Sequence, residues 1–95
     1  MKFKIKTIPE KINGTYIGMN AQAAKHHLHL KDYPGNNVIE VYKKESPKMR
    51  SIIIRHEKVE YGLMSKHHQY RYAHKRALQE EKTKLPIKEV LRRYG

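Results

Sequence analysis

The sequence predicts an α+β fold, a small sheet of two or three strands packed on three or four helices, and three observations carry that expectation. Phe3 and Ile5 alternate with Lys2, Lys4 and Lys6 over the first eight residues, the period-two pattern of a half-buried strand. Val38-Ile39-Glu40-Val41-Tyr42, β-branched and aromatic, follows the turn cluster Tyr33-Pro34-Gly35-Asn36-Asn37 and gives a second strand. From Pro47 onward the apolar residues fall at helical spacing.

The lysines suit the first strand to a sheet edge. Asn13-Gly14 marks a turn, and after Thr15-Tyr16-Ile17-Gly18 an Asn20 cap opens a short helix through Ala21, Ala23, Ala24 and Leu28, ending near Leu30. Ser46-Pro47 starts a long helix, because a serine oxygen can accept an orphan backbone N–H and proline is pre-set for the first helical position. That helix is expected over 47–65 as the spine of the fold, with Met49, Ile52, Ile53, Val59, Leu63 and Met64 as its buried stripe. A polar break at Ser65 to His68 precedes a third helix over 69–82, with Tyr70, Ala73, Ala77 and Leu78 facing inward. After Leu85-Pro86 a short helix over 87–94 packs Ile87, Val90 and Leu91, and this basic tail either caps the core or forms a lid.

Ninety-five residues support a single domain, 1–95, with one hydrophobic core. The absence of cysteine excludes disulfide scaffolds, zinc fingers, iron–sulfur sites and thiol nucleophiles, so any metal must sit on His, Asp or Glu. No apolar run approaches the roughly 18 residues of a membrane span. Lysines interrupt the apolar residues at the amino terminus, which does not resemble a signal peptide, and the expected location is the cytoplasm. Abundant Lys with few Gln matches the composition that heat-adapted organisms favour. Lys plus Arg number 21 against 9 Asp plus Glu, a net charge of +12 that attracts polyanions whatever the protein's role. The basic residues are dispersed, without a nucleic-acid-binding signature.

The informative segment is His56-Glu57-Lys58-Val59-Glu60. Residues four apart stack on one helix face, so His56 and Glu60 can grip one ion while Glu57 points about a third of a turn away, placed to take a proton from water. Glu60 lies among Ile53, Val59, Leu63 and Met64, where a carboxylate needs a cation or several donors beside it. A catalytic zinc site has three protein ligands, and His74, on the apolar face of the next helix, is the best third. A helical hairpin closing at Ser65 to His68 brings it back towards Glu60. Tyr70 or Tyr72, or His67 or His68, can supply a hydrogen bond to a developing oxyanion, and Tyr70 is the leading candidate.

On these residues the chain resembles the small zincin metallopeptidases of the gluzincin clan, the minigluzincin type. In that family a strand precedes a helix carrying His-Glu-x-x-His, and a downstream helix supplies a glutamate, often as Glu-x-x-Ala. Here the strand is Val38 to Tyr42, the motif is His56-Glu57-Lys58-Val59-Glu60, and the downstream segment is His74-Lys75-Arg76-Ala77. The resemblance implies a permuted HExxE…H set in which His56, Glu60 and His74 hold zinc, Glu57 is the general base, and the activity is peptide hydrolysis. It covers about residues 38 to 78. An extended peptide or protein substrate is expected to add to the edge of the strand at Val38 to Tyr42.

Two other readings use the same residues. Glu60 and His74 can form a buried ion pair that fixes helix register while Glu57 is solvated. Arg50 and His56 also show a spacing that resembles the helical HEPN ribonucleases, which, with the charge of +12, supports a basic nucleic-acid-binding module or ribonuclease. His26, His27 and His29 form a second cluster, expected at the surface. The seven tyrosines are scattered and are expected at the boundary of the core rather than as a base-stacking platform.

Overall fold

The computed structural model describes residues 2–95 and is α+β; Met1, at the start of the first predicted strand, lies outside the described residues. The elements run β1 (Lys4–Ile8), β2 (Gly18–Asn20), α1 (Ala21–His26), β3 (Val38–Tyr42), α2 (Pro47–Ser65), α3 (Tyr70–Glu80) and α4 (Ile87–Tyr94). The sheet order is β1-β3-β2, with β1 parallel to β3 and β2 antiparallel to it. β1 is therefore an edge strand, as its lysines predict. β3 is the central strand, so its edge is not available to a peptide, which corrects the expectation drawn from its sequence.

In register, Gly18 lies opposite Val41 and Asn20 opposite Ile39. Directly opposed residues share a sheet face, so Gly18 and Asn20 lie on the same face as the fully buried Ile39 and Val41, towards α2, whose Ile53 packs there. A larger cluster joins Met19, Ala23 and Ala24 to Val59, Leu63 and Met64 of α2, Ala73 and Ala77 of α3, and Val90 of α4.

The helix starts follow the predicted chemistry. Ser46 Oγ accepts from Met49 N at 3.2 Å, with Pro47 in the first turn, and Asn20 Oδ1 accepts from Ala23 N at 2.9 Å. α1 ends at His26 rather than near Leu30, because the chain turns through a left-handed conformation at His29 (φ 56°). There Leu28 N and Leu30 N bond back to Ala23 O and Ala24 O. α2 and α3 form the expected hairpin, closed by a left-handed His67 (φ 71°) whose neighbour His68 donates its N–H to Leu63 O.

The tail caps the core. Leu91 packs against Gly62 of α2, where a Cβ would lie 2.6 Å from Leu91 Cδ1, so only glycine permits this approach without movement. Arg93 Nη1 and Tyr94 OH both donate to the buried Glu80 Oε1, at 2.9 and 3.2 Å, tying α4 to α3. No helix among the described residues is long and apolar enough to cross a membrane.

Two residues assigned to the core stand out of it. Met49 is 41% and Leu78 52% exposed. They lie towards the start of α2 and the end of α3, where a cleft replaces the packed interior, and they form its walls.

Candidate metal centre

The cleft has a volume of about 440 Å³ and lies between β2, α2 and α3. At its floor three atoms from two helices meet. His56 Nε2 is 3.0 Å from Glu60 Oε2, His74 Nδ1 is 3.0 Å from the same oxygen, and the two ring nitrogens are 3.2 Å apart. The four-residue spacing of α2 stacks His56 on Glu60, and the hairpin folds His74 back onto them. This is the one group of three potential metal ligands among the described residues.

Protons alone satisfy this triangle poorly. A ring nitrogen either donates or accepts, so if both histidines donate to Glu60 the two N–H groups confront each other; if one donates to the other, a contact with Glu60 loses its proton. A central cation satisfies all three lone pairs together. The edges lie between the spacings two coordination geometries require, about 3.0 Å between adjacent ligands of an octahedral ion with bonds near 2.1 Å and about 3.3 Å between ligands of a tetrahedral zinc. The donor set thus fits a divalent cation.

The electrostatics favour positive charge at this point, which protons on the histidines supply when no ion is bound. Burial opposes ionisation of Glu60, but hydrogen bonds from His56 and His74, together with their charge, hold its carboxyl below the ordinary range. Burial works against a charged His56, yet the hydrogen bond to Glu60 and the charges of Glu57 and Glu60 raise it above its usual value. His74 is raised chiefly by its hydrogen bond to Glu60. Glu60 is almost wholly enclosed, whereas the His74 side chain keeps 40% of its surface, so the triangle opens to the cleft on the His74 side.

Glu57 is buried, not solvated, and lines the same cleft. Burial first, and the nearby Glu60 charge second, push its carboxyl up to about 8. Its fixed neighbour is Asn20, a residue the sequence identifies only as a helix cap. Asn20 Nδ2 donates to Glu57 Oε1 at 2.9 Å and to Glu60 Oε1 at 3.1 Å, leaving Glu60 Oε2 for the histidines. Gly18 makes room for the second carboxylate, since a Cβ there would lie 3.2 Å from Glu57 Oε2 and 2.4 Å from Ile53 Cγ2.

Of the four candidates for a hydrogen bond to substrate, Tyr70 alone lines the cleft. Its hydroxyl is 3.3 Å from His74 Nδ1, and burial with the Glu60 charge raises its pKa, keeping the phenol protonated. The ring is held between His74 and His27, with His27 stacked on it at 3.7 Å and 5°. Tyr16 OH in turn meets His27 Nε2 at 3.3 Å. Tyr72 is turned away to donate to Tyr94 O, with His68 stacked on it at 4.6 Å. His67 occupies the hairpin turn.

His26 and His29 are exposed and His27 half-buried, so the second histidine cluster does not converge on an ion. Arg50 is not among the residues lining the cleft, which separates it from His56. The sequence gives no notice of Glu81, whose Oε1 lies 4.0 Å from His56 Nδ1, on the ring nitrogen that faces away from the triangle. Residues 84–95 line no part of the cleft, so the tail is not its lid.

No protein family, curated protein or solved structure matched the chain in comparisons.

Proposed function

We propose that this chain is a small zincin-like hydrolase that binds one zinc ion through His56, Glu60 and His74 and cleaves peptide bonds. The observation that carries the reading is the triangle of donor atoms with edges of 3.0, 3.0 and 3.2 Å, opening into a cleft that also holds a buried carboxylate and a phenol. Zinc bound there supplies Lewis acidity towards a carbonyl and makes water acidic enough to attack near neutral pH.

The chain's own groups account for the rest. Glu57 takes the proton from water and returns it to the leaving amine. Burial and the Glu60 charge push the Glu57 carboxyl up to about 8, and a cation held by His56, Glu60 and His74 would favour its ionised, basic form. Tyr70 donates a hydrogen bond to the developing oxyanion, its ring fixed by His27 and His74. Asn20 donates to both carboxylates from one amide nitrogen and fixes each in place. Substrate follows the segment Tyr16 to Met19, which borders the cleft and leads into the outer strand β2, and this segment takes the role the sequence assigns to the central strand. Apolar walls of Ile17, Met49, Ile52 and Leu78 suit a substrate with a large apolar side chain.

Elemental analysis of untagged protein and of His74→Ala tests the metal. About one zinc per chain, lost in the variant, is expected, together with peptide-library cleavage that Glu57→Gln abolishes while retaining zinc. No metal in either protein, no thermal stabilisation by added zinc, and steeply salt-dependent binding of RNA or DNA would overturn the reading in favour of the basic nucleic-acid-binding module.

A further inference from the structure

A second pocket, of about 310 Å³, is lined by Ser51, Ile54, Arg55 and Lys58 of α2 and by Ile87 of α4. At about 100° per residue, positions 51, 54, 55 and 58 lie on the face of α2 opposite 53, 56, 57 and 60. It is therefore separate from the metal centre.

Its chemistry is one-sided. Arg55 and Lys58 are half-buried, and neither lies within ion-pair distance of a carboxylate among the described residues. No acidic side chain lines the pocket. The Arg55 guanidinium is held by neutral acceptors, with Nε donating to Glu80 O and Nη2 to Thr83 Oγ1, both at 2.7 Å. This fixes its orientation without neutralising it, and the side-chain carboxylate of Glu80, whose backbone oxygen Arg55 holds, is engaged by Arg93 and Tyr94. Lys58, one turn along the same face, meets no acceptor in the described chain and remains free to pivot. Ser51, one turn earlier, borders the pocket with its hydroxyl donated to Pro47 O at 3.2 Å. Two uncompensated cations taken partly out of water favour an anion between them, and a preorganised guanidinium beside a mobile ammonium suits phosphoryl oxygens.

We infer that this pocket is a phosphate-binding site for a phosphate monoester bearing an apolar substituent. Two positive charges match a dianion, which a monoester carries and a phosphodiester or carboxylate does not. Ile54 and Ile87 supply a wall for the apolar part of the ester. The site stands independently of the proposed peptidase activity, because none of its residues lines the metal cleft.

The test is an NMR titration of the full chain, without added metal, with inorganic phosphate and then phenyl phosphate. Saturable shifts at Ser51, the Arg55 side chain and Lys58 are expected, with phenyl phosphate the tighter. Lys58→Gln is expected to weaken binding about tenfold, while Lys25→Gln, the same charge change at an exposed position of α1, leaves it within about twofold. Arg55→Gln serves as a second variant only if its melting curve shows that the end of α3 is still held. Shifts that spread over many lysines without saturating, or binding indifferent to Lys58, overturn the site. Binding of a single-stranded oligonucleotide lacking terminal phosphates, with none of either small phosphate, overturns the monoester and makes the surface a strand-binding one.

Discussion

Asn20 Nδ2 lies 2.9 Å from Glu57 Oε1, joining the end of the shortest strand to the middle of the longest helix across 37 residues of chain. The same amide reaches Glu60 at 3.1 Å while its oxygen caps α1. Three buried polar requirements are met by one fully enclosed side chain, and this separates the carboxylate that faces the histidines from the one that does not.

Asn20→Ala removes both the cap and the amide donor shared by two buried carboxylates, so a loss of about 2–4 kcal/mol is expected in denaturant melts. Asn20→Asp keeps a good cap but replaces the donor with a third acidic group. It is expected to cost at least as much. If Asn20→Asp is as stable as the parent in the absence of metal, the clamp is unimportant and Asn20 is only a cap.

Metal-free stability is expected to fall as pH rises from about 5 to 8. Glu57 has its pKa raised from 4.5 to about 8, so the folded state binds a proton that the unfolded chain releases; its contribution is full below 4.5 and gone above 8. His56 and His74, raised above 6.5, contribute below that value and lose their contribution as pH climbs through the raised ones. Glu60, lowered, acts in the other direction only below 4.5. Melting curves across this range should flatten in Glu57→Gln, which keeps the shape without the titration. Added zinc should reverse the trend, its stabilisation growing towards pH 8 as ligands lose protons to the ion. A pH-independent zinc effect would count against coordination by these histidines.

Tyr70→Phe is expected to keep zinc and lower kcat for peptide cleavage about a hundredfold or more, with KM little changed, because the hydrogen bond it removes strengthens only as negative charge develops. Steady-state kinetics decide this. An equal rise in KM with kcat intact would assign Tyr70 to substrate binding instead.

Gly18→Ala drives a methyl into Ile53 Cγ2, so either the Ile53 side chain or the approach of β2 to α2 must shift. A loss of about 1–3 kcal/mol is expected, with weaker cleavage. Adding Ile53→Ala removes the atom it strikes, and the pair should cost less than the sum of the single changes. Simple additivity would show that the close approach is not what fixes Gly18.

Much of the fold was legible because its signals are local. Pro47–Ser65 and Ile87–Tyr94 match the spans expected from Ser46-Pro47 and Leu85-Pro86, where a cap or a proline sets the boundary within a residue or two. The trio His56, Glu60 and His74 was legible too, since two members share a helix face and the third sits one hairpin away. Gly18–Asn20 was not, because three residues with glycine and asparagine carry no strand pattern and become one only by pairing with β3. The exposure of Met49 and Leu78 was equally hidden, as periodicity identifies a face without saying whether anything packs on it.

The sequence by itself determined the helix starts, the two longer strands, the positive charge, the lack of thiol chemistry and the side chains that face one another across the α2–α3 hairpin. Tertiary structure decided which strand is central, that Glu57 is buried under Asn20, that Tyr70 and not Tyr72 meets His74, and that a pair of cations faces away from the metal centre. The division has a physical cause. Caps, turns and periodicity are set by neighbours within a few residues, whereas burial, strand partnership and pKa depend on groups that are far apart in the chain until it folds.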